Sequence, residues 1–121
     1  MSVFSELPPE RVLHRSEYFF IIEDGFPVSP GHLLIISNEI RTDYFALSSA
    51  EKTALPEMIV KAKEMIESHY KPDGYNIGMN SGTAAGQTVM HFHCHVIPRY
   101  KGDMENPRGG VRHCVEGKGD Y

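Results

Sequence analysis

The sequence predicts an antiparallel α+β domain, and three observations predict it. Two short runs rich in aromatic and β-branched residues, Tyr18–Ile22 and His32–Ser37, flank a turn-forming segment. A long stretch with helical periodicity opens at Ser48-x-x-Glu51, the pattern of a capping box. Near residue 90 the chain alternates strictly, His91-Phe92-His93-Cys94-His95-Val96, which is the period of a strand with two unlike faces.

Each element follows from its residues. Residues 1–10 read as a loop, because Pro8-Pro9 bars a helix, and 11–15 reads as a short strand. Tyr18–Ile22 is a strand that ends in Glu23-Asp24-Gly25-Phe26-Pro27, a cluster of turn formers. His32–Ser37 pairs back on it as a hairpin. Residues 38–47 are irregular with a short helical piece. From Ser48, the residues Leu55, Ile59, Ala62, Ile66 and His69, with Met58 and Met65 beside them, mark one apolar helical face. Pro56 kinks this helix or delays its regular start, and the helix stops near Tyr70, ahead of Pro72 and Gly74. A strand over 74–80, a small-residue loop over 81–86 and the histidine strand over 88–100 complete the core elements. The chain reads as a single domain over 1–121, with 101–121 a loop-rich tail.

The bulk properties bound the function. A chain of 121 residues with 40% hydrophobic and 23% charged residues is large enough for one sizeable core. A formal net charge of -4 argues against a nucleic-acid partner. No stretch is long and apolar enough to cross a membrane, and the first ten residues lack the basic start and apolar run of a leader. Two cysteines, Cys94 and Cys114, do not make a disulfide framework. These features point to a cytoplasmic protein.

The histidine row is the strongest functional signal. On a strand, His91, His93 and His95 share one face, while Phe92, Cys94 and Val96 enter a core. Imidazole costs free energy to bury and gains little on a surface unless it meets a ligand, a metal or a proton. A strand-borne His-x-His pair can hold zinc, but it needs further ligands. No Cys-x-x-Cys flanks the row, and the first acidic residue after it is Asp103. The sequence therefore assigns no metal ligands. Gly86-Gln87-Thr88 runs up to the row, with a glycine that lets backbone approach a ligand and two side chains able to donate to phosphate oxygens. No Gly-Lys-Ser/Thr follows the glycines, so a Walker-type loop is rejected.

The run His91-Phe92-His93-Cys94-His95-Val96-Ile97, preceded by Gly86-Gln87-Thr88-Val89 and followed by Pro98-Arg99, resembles the histidine triad (HIT) family. Its branch is most similar to the fragile-histidine-triad (Fhit) type, which cleaves dinucleoside polyphosphates. The resemblance covers about residues 15–103. It implies a five-stranded antiparallel sheet with one long and one short helix. It also implies a hydrolase or nucleotidyl transferase that works at an α-phosphate through a nucleotidyl-histidine, with no required cofactor and with Mg²⁺ accompanying the substrate at most. The partner implied is a small nucleotide, and the assembly implied is a homodimer.

The same resemblance carries over site roles. His93 is the nucleophile; His95, about 7 Å further along the strand, donates to a phosphate oxygen or the leaving group; His91 orients its neighbours. His32, in Pro30-Gly31-His32, is the fourth histidine. Asp24 stands where the family bonds ribose hydroxyls, and Asn80 where it carries an amide that holds phosphate. Ile22 and Leu34 are candidate walls of a base pocket, although core packing explains them equally well. Arg108 and Arg112 are candidate contacts to distal phosphates, against a plain solvated surface. Two other readings stand beside the hydrolase: a Hint-like phosphoramidase with an amine leaving group, and a nucleotide- or metal-binding module without turnover.

Overall fold

The computed structural model describes residues 2–121. Five strands form one antiparallel sheet: β1 (Val12–Arg15), β2 (Phe19–Glu23), β3 (Leu33–Ser37), β4 (Gly74–Gly78) and β5 (His93–Arg99). Their order is β1-β2-β3-β5-β4, so the histidine strand is inserted between the hairpin and β4. A single long helix, α1 (Ser49–Glu67), covers one face.

The register explains the two kinds of strand sequence. Ile21 stands opposite Ile35, and Ile35 opposite Cys94. Directly opposed residues share a face. This face, with Phe19, Leu33, Phe92 and Val96, packs against Leu55, Met58, Ala62 and Ile66 of α1. Each of its Val, Leu, Ile, Phe and Met side chains contributes about 1.5–3 kcal/mol when fully buried. On the other face Phe20, Ile22, Leu34 and Ile36 form a second cluster under Phe4, Leu7 and Val12. Because β3 is buried on both faces, it reads as an unbroken apolar run up to Ser37, and β2 does so up to Glu23. β5 has one buried and one partly open face, so it alternates.

The helix start follows the capping pattern. The Ser48 hydroxyl accepts from the Glu51 N–H at 3.1 Å, and the Glu51 carboxylate accepts from the Ser48 N–H at 2.6 Å. Glu51 is only 2% exposed and also takes the Arg41 Nε–H at 3.0 Å, so its charge is paired where it is buried. The helix continues through Pro56, which lies on its exposed side. Its missing N–H leaves the Lys52 carbonyl without its helical partner.

Several expectations are corrected. The histidine strand begins at His93 rather than 88, because Phe92 donates its N–H to the Arg41 carbonyl, at 2.6 Å, beyond the end of the β3 ladder. The helix ends at Glu67 and not near Tyr70; His69 lies past its cap and is exposed, not part of the apolar face. The short helical piece is a 3-10 turn, Tyr44–Ala46, capped by the Asp43 carboxylate. β4 stops at Gly78, and β3 starts one residue after His32. Past β5, Arg99 pairs with Asp103 at 2.8 Å, and a 3-10 segment, Gly110–Cys114, follows.

Candidate active site

The chain bends at His91 before β5 begins, and the bend buries that ring completely. Its Nε2 lies 2.8 Å from the Ser37 carbonyl, which only accepts, so Nε2 carries the proton. Its Nδ1 then accepts from the Ser2 hydroxyl at 2.6 Å. Burial pushes the His91 pKa down, and the bond to the Ser37 carbonyl works against that shift. The Phe4 ring stands edge-on to His91 and His93, with centroids 5.8 and 5.0 Å away. His91 is thus a fixed wall of the row rather than an open strand residue.

His93 and His95 project from the partly open face of β5. The Nδ1 of His93 lies 2.8 Å from the His91 carbonyl. In the neutral ring this puts the proton on Nδ1 and the lone pair on Nε2. His95 is its neighbour, ring centroids 5.3 Å apart. Gly78 is the residue paired with His95 on β4, and a Cβ there would meet nothing within 4 Å. The missing side chain leaves room beside the histidines.

Behind His95 lies a chain of three more groups. The Val28 N–H donates to His32 Nδ1 at 3.2 Å, which makes that nitrogen an acceptor. The proton of neutral His32 therefore sits on Nε2, 2.9 Å from His95 Nδ1. His95 Nδ1 accepts it, and the proton of neutral His95 is left on Nε2. Asp24 flanks this pair: its Oδ2 is 3.3 Å from His32 Nε2 and 3.8 Å from His95 Nδ1. Burial pushes the His95 pKa down to about 4, helped by neighbouring His93 and His32 and opposed by Asp24. His32 is lowered by burial too, again against Asp24.

Ligand atoms of Asp24, His32 and His95 fall within 4.8 Å of one another, the spacing of a small metal site. A metal on His32 Nε2 would move the ring proton to Nδ1, where the Val28 N–H already points. The backbone donor opposes that state and favours the hydrogen-bonded chain. A cleft of about 400 Å³ reaches Asp24 and His32 from the helix side, between Leu13, Met65 and Tyr70.

The remaining expected residues fall into separate places. Gln87 is buried, and its amide is fully used: Oε1 accepts from Gly82 N–H at 2.8 Å, and Nε2 donates to the Thr42 and Val89 carbonyls. It holds the loop that leads to the histidines. Gly86, with φ of 94°, and Asn80 and Thr88 are exposed on that loop. Asp24 has both oxygens engaged, since Oδ1 accepts from the Phe26 N–H at 2.8 Å. Ile22 and Leu34 lie in the second apolar cluster, covered by the N-terminal segment. Arg108 and Arg112 sit over the Tyr121 ring, at 4.6 and 4.5 Å, and not at the histidines. Sequence reasoning missed Ser2, Phe4 and the Val28 N–H. None of them carries a local signal, because their role depends on a distant partner.

A five-stranded antiparallel sheet that presents two imidazoles with set tautomers, backed by a third and walled by a fourth, defines the histidine triad class. The chain belongs to the HIT domain family, whose profile matches residues 6–102. It is 37% identical over 101 residues to a bis(5'-adenosyl)-triphosphatase of Dictyostelium discoideum, covering 78% of this chain and 68% of that protein. It is 35% identical over 102 residues to an asymmetrical bis(5'-nucleosyl)-tetraphosphatase of Schizosaccharomyces pombe, covering 84% of this chain and 56% of that protein. A zinc-bound histidine triad family protein from Mycobacterium smegmatis superimposes with a TM-score of 0.72 at 33% identity, covering 86% of this chain and 75% of that one. Against the two named hydrolases, the chain spans between about half and two thirds of their length. These relatives are consistent with the Fhit-like branch.

Proposed function

We propose that the chain is a nucleotide hydrolase that cleaves a dinucleoside polyphosphate, or a related nucleotide, at the α-phosphate. One observation carries the reading: the His91 carbonyl holds the His93 proton on Nδ1, which leaves the Nε2 lone pair on the partly open face beside His95. The Nε2 lone pair attacks phosphorus, an N–P bond forms, and the P–O bond to the leaving group breaks. The leaving oxygen takes a proton from Nε2 of doubly protonated His95, which returns that ring to its neutral state. Water then adds to phosphorus, His95 receives the proton that water gives up, and the N–P bond to His93 breaks with release of a nucleoside monophosphate.

The wider assignment goes with it. Asn80, Gly86 and Thr88, on the exposed loop before the row, contact phosphate oxygens, and Gln87 holds that loop. Arg108 and Arg112 reach distal phosphates once they leave the Tyr121 ring. Residues 1–121 act as one unit, with 101–121 as its tail. The chain works as a cytoplasmic homodimer; the unpaired outer edge of β4 and the 44% exposure of Ile77 on it support a second copy there. No helix among the described residues is long and apolar enough to cross a membrane.

The test is to quench wild-type chain with diadenosine triphosphate at low temperature and to find the modified residue by mass spectrometry. An adenylyl group on His93 is the expected result. Turnover with an unmodified His93, or with label elsewhere, overturns the covalent route. Faster turnover of an adenosine phosphoramidate than of the polyphosphate would assign the chain to the phosphoramidase branch instead.

A further inference from the structure

We infer that Asp24 is a positioning residue of the reaction, holding the charge of the His32–His95 pair when His95 carries two protons. The inference rests on the hydrolase reading and deepens it. It also departs from the ribose-binding role that the family resemblance implies for this position.

The Val28 N–H makes His32 Nδ1 an acceptor, so His32 has no free nitrogen for a second proton. An extra proton arriving at the pair must therefore reside on His95, with N–H on both Nδ1 and Nε2. Its Nδ1–H would then face the His32 Nε2–H across 2.9 Å, donor against donor. One acceptor stands next to both nitrogens: Asp24 Oδ2, at 3.3 and 3.8 Å. At 3.3 Å it is within hydrogen-bond reach of the His32 N–H, and at 3.8 Å its charge faces the His95 N–H. The other oxygen, Oδ1, is held by the Phe26 N–H, so the carboxylate is already oriented. The Asp24 side chain is 14% exposed and that of His32 is 2% exposed, which limits screening by water.

The titratable groups that face His95 are His93 on its own strand, His32 on the neighbouring segment and Asp24 on the loop after β2. Among these only Asp24 favours the cation. The chemistry uses that preference twice. When the P–O bond breaks, the proton on His95 Nε2 passes to the leaving oxygen and His95 returns to the neutral state. When water attacks the nucleotidyl-histidine, His95 Nε2 takes the proton water gives up, the cation re-forms, and the Oδ2 charge faces its Nδ1–H.

The test compares wild type with Asp24→Asn, which keeps the acceptor for the Phe26 N–H and loses the charge. Asp24→Ser, which preserves a local turn acceptor, serves as the second variant. The imidazole nitrogens of His95 are followed by ¹⁵N NMR from pH 8 down to about pH 2.5, a range that spans a midpoint near 4 and its expected drop, free and with adenosine 5′-monophosphate bound. Turnover of diadenosine triphosphate and of its 2′,3′-dideoxy counterpart is measured across the same range. Loss of the carboxylate should lower the His95 midpoint by about one unit or more. It should reduce kcat/KM by about ten- to a hundredfold, equally for both substrates. A His95 midpoint that stays put in both variants overturns the inference. So does a loss confined to the ribose-bearing substrate, which would make Asp24 a ribose ligand. A wild-type chain inert toward diadenosine triphosphate would sink the hydrolase reading, while the NMR titration would still decide whether Asp24 holds the His95 cation.

Discussion

The Nδ1–H of His93 donates to the carbonyl oxygen of His91 at 2.8 Å, two residues back along the same chain. A backbone acceptor cannot change its protonation, so the tautomer of His93 is set whenever β5 forms. This bond leaves the Nε2 lone pair of the central imidazole free without a neighbouring base.

Replacing His93 by Ala should remove turnover by on the order of a thousandfold or more, as loss of a nucleophile does. Nucleotide binding should survive. His93→Gly should regain part of its activity with added imidazole, which replaces the nucleophile and not the chain. Steady-state kinetics with and without imidazole check this, and a His93→Ala chain that keeps most of its turnover refutes it.

Stability should fall as the medium is acidified from about pH 6.5 toward pH 4. His95, His32 and His91 all have folded-state pKa values pushed below 6.5, by burial first in each case. The unfolded chain binds their protons at higher pH than the folded one, so protons favour unfolding throughout that window. Full stability is present above the unfolded value and lost on descending to the folded one. For His95, at about 4, the loss is on the order of 3 kcal/mol. Urea midpoints at pH 7.5, 6 and 4.5 should decrease in that order, and less so in a His95→Gln chain.

Glu51→Gln should destabilise the fold by about 2 kcal/mol, since the Arg41 partner is itself partly exposed. The amide retains an acceptor for the Ser48 N–H and loses the charge that faces Arg41. Chemical denaturation of the Arg41→Ala, Glu51→Gln and double variants would give the coupling directly; a coupling near zero would show that the pair does not contribute.

Cys114 should react with a thiol reagent in the folded chain, and Cys94 should not. Cys114 is exposed. Cys94 is fully buried between the sheet and α1, and burial pushes its thiol up to about 11. Reagent counting should yield one equivalent in buffer and two in denaturant. Two fast equivalents in buffer would mean that the β5–α1 face opens readily.

By itself the sequence determined the strands, the capped helix and the identity of the four histidines. These depend on local periodicity, and the period-two row on β5 and the Ser48–Glu51 box are local patterns. Only the tertiary structure decided what each histidine can do. The proton on His93 depends on a bend that leaves His91 outside the strand, and that of His91 on carbonyl and hydroxyl groups at Ser37 and Ser2, 54 and 89 residues away. Those of His32 and His95 depend on one backbone N–H at Val28 and on contact across the sheet. Asp24 reads from its neighbours as a turn residue, and it is one; its second oxygen reaches the histidine pair only because β3 lies beside β5. Tautomers follow hydrogen bonds, and these bonds join residues that no spacing along the chain brings together.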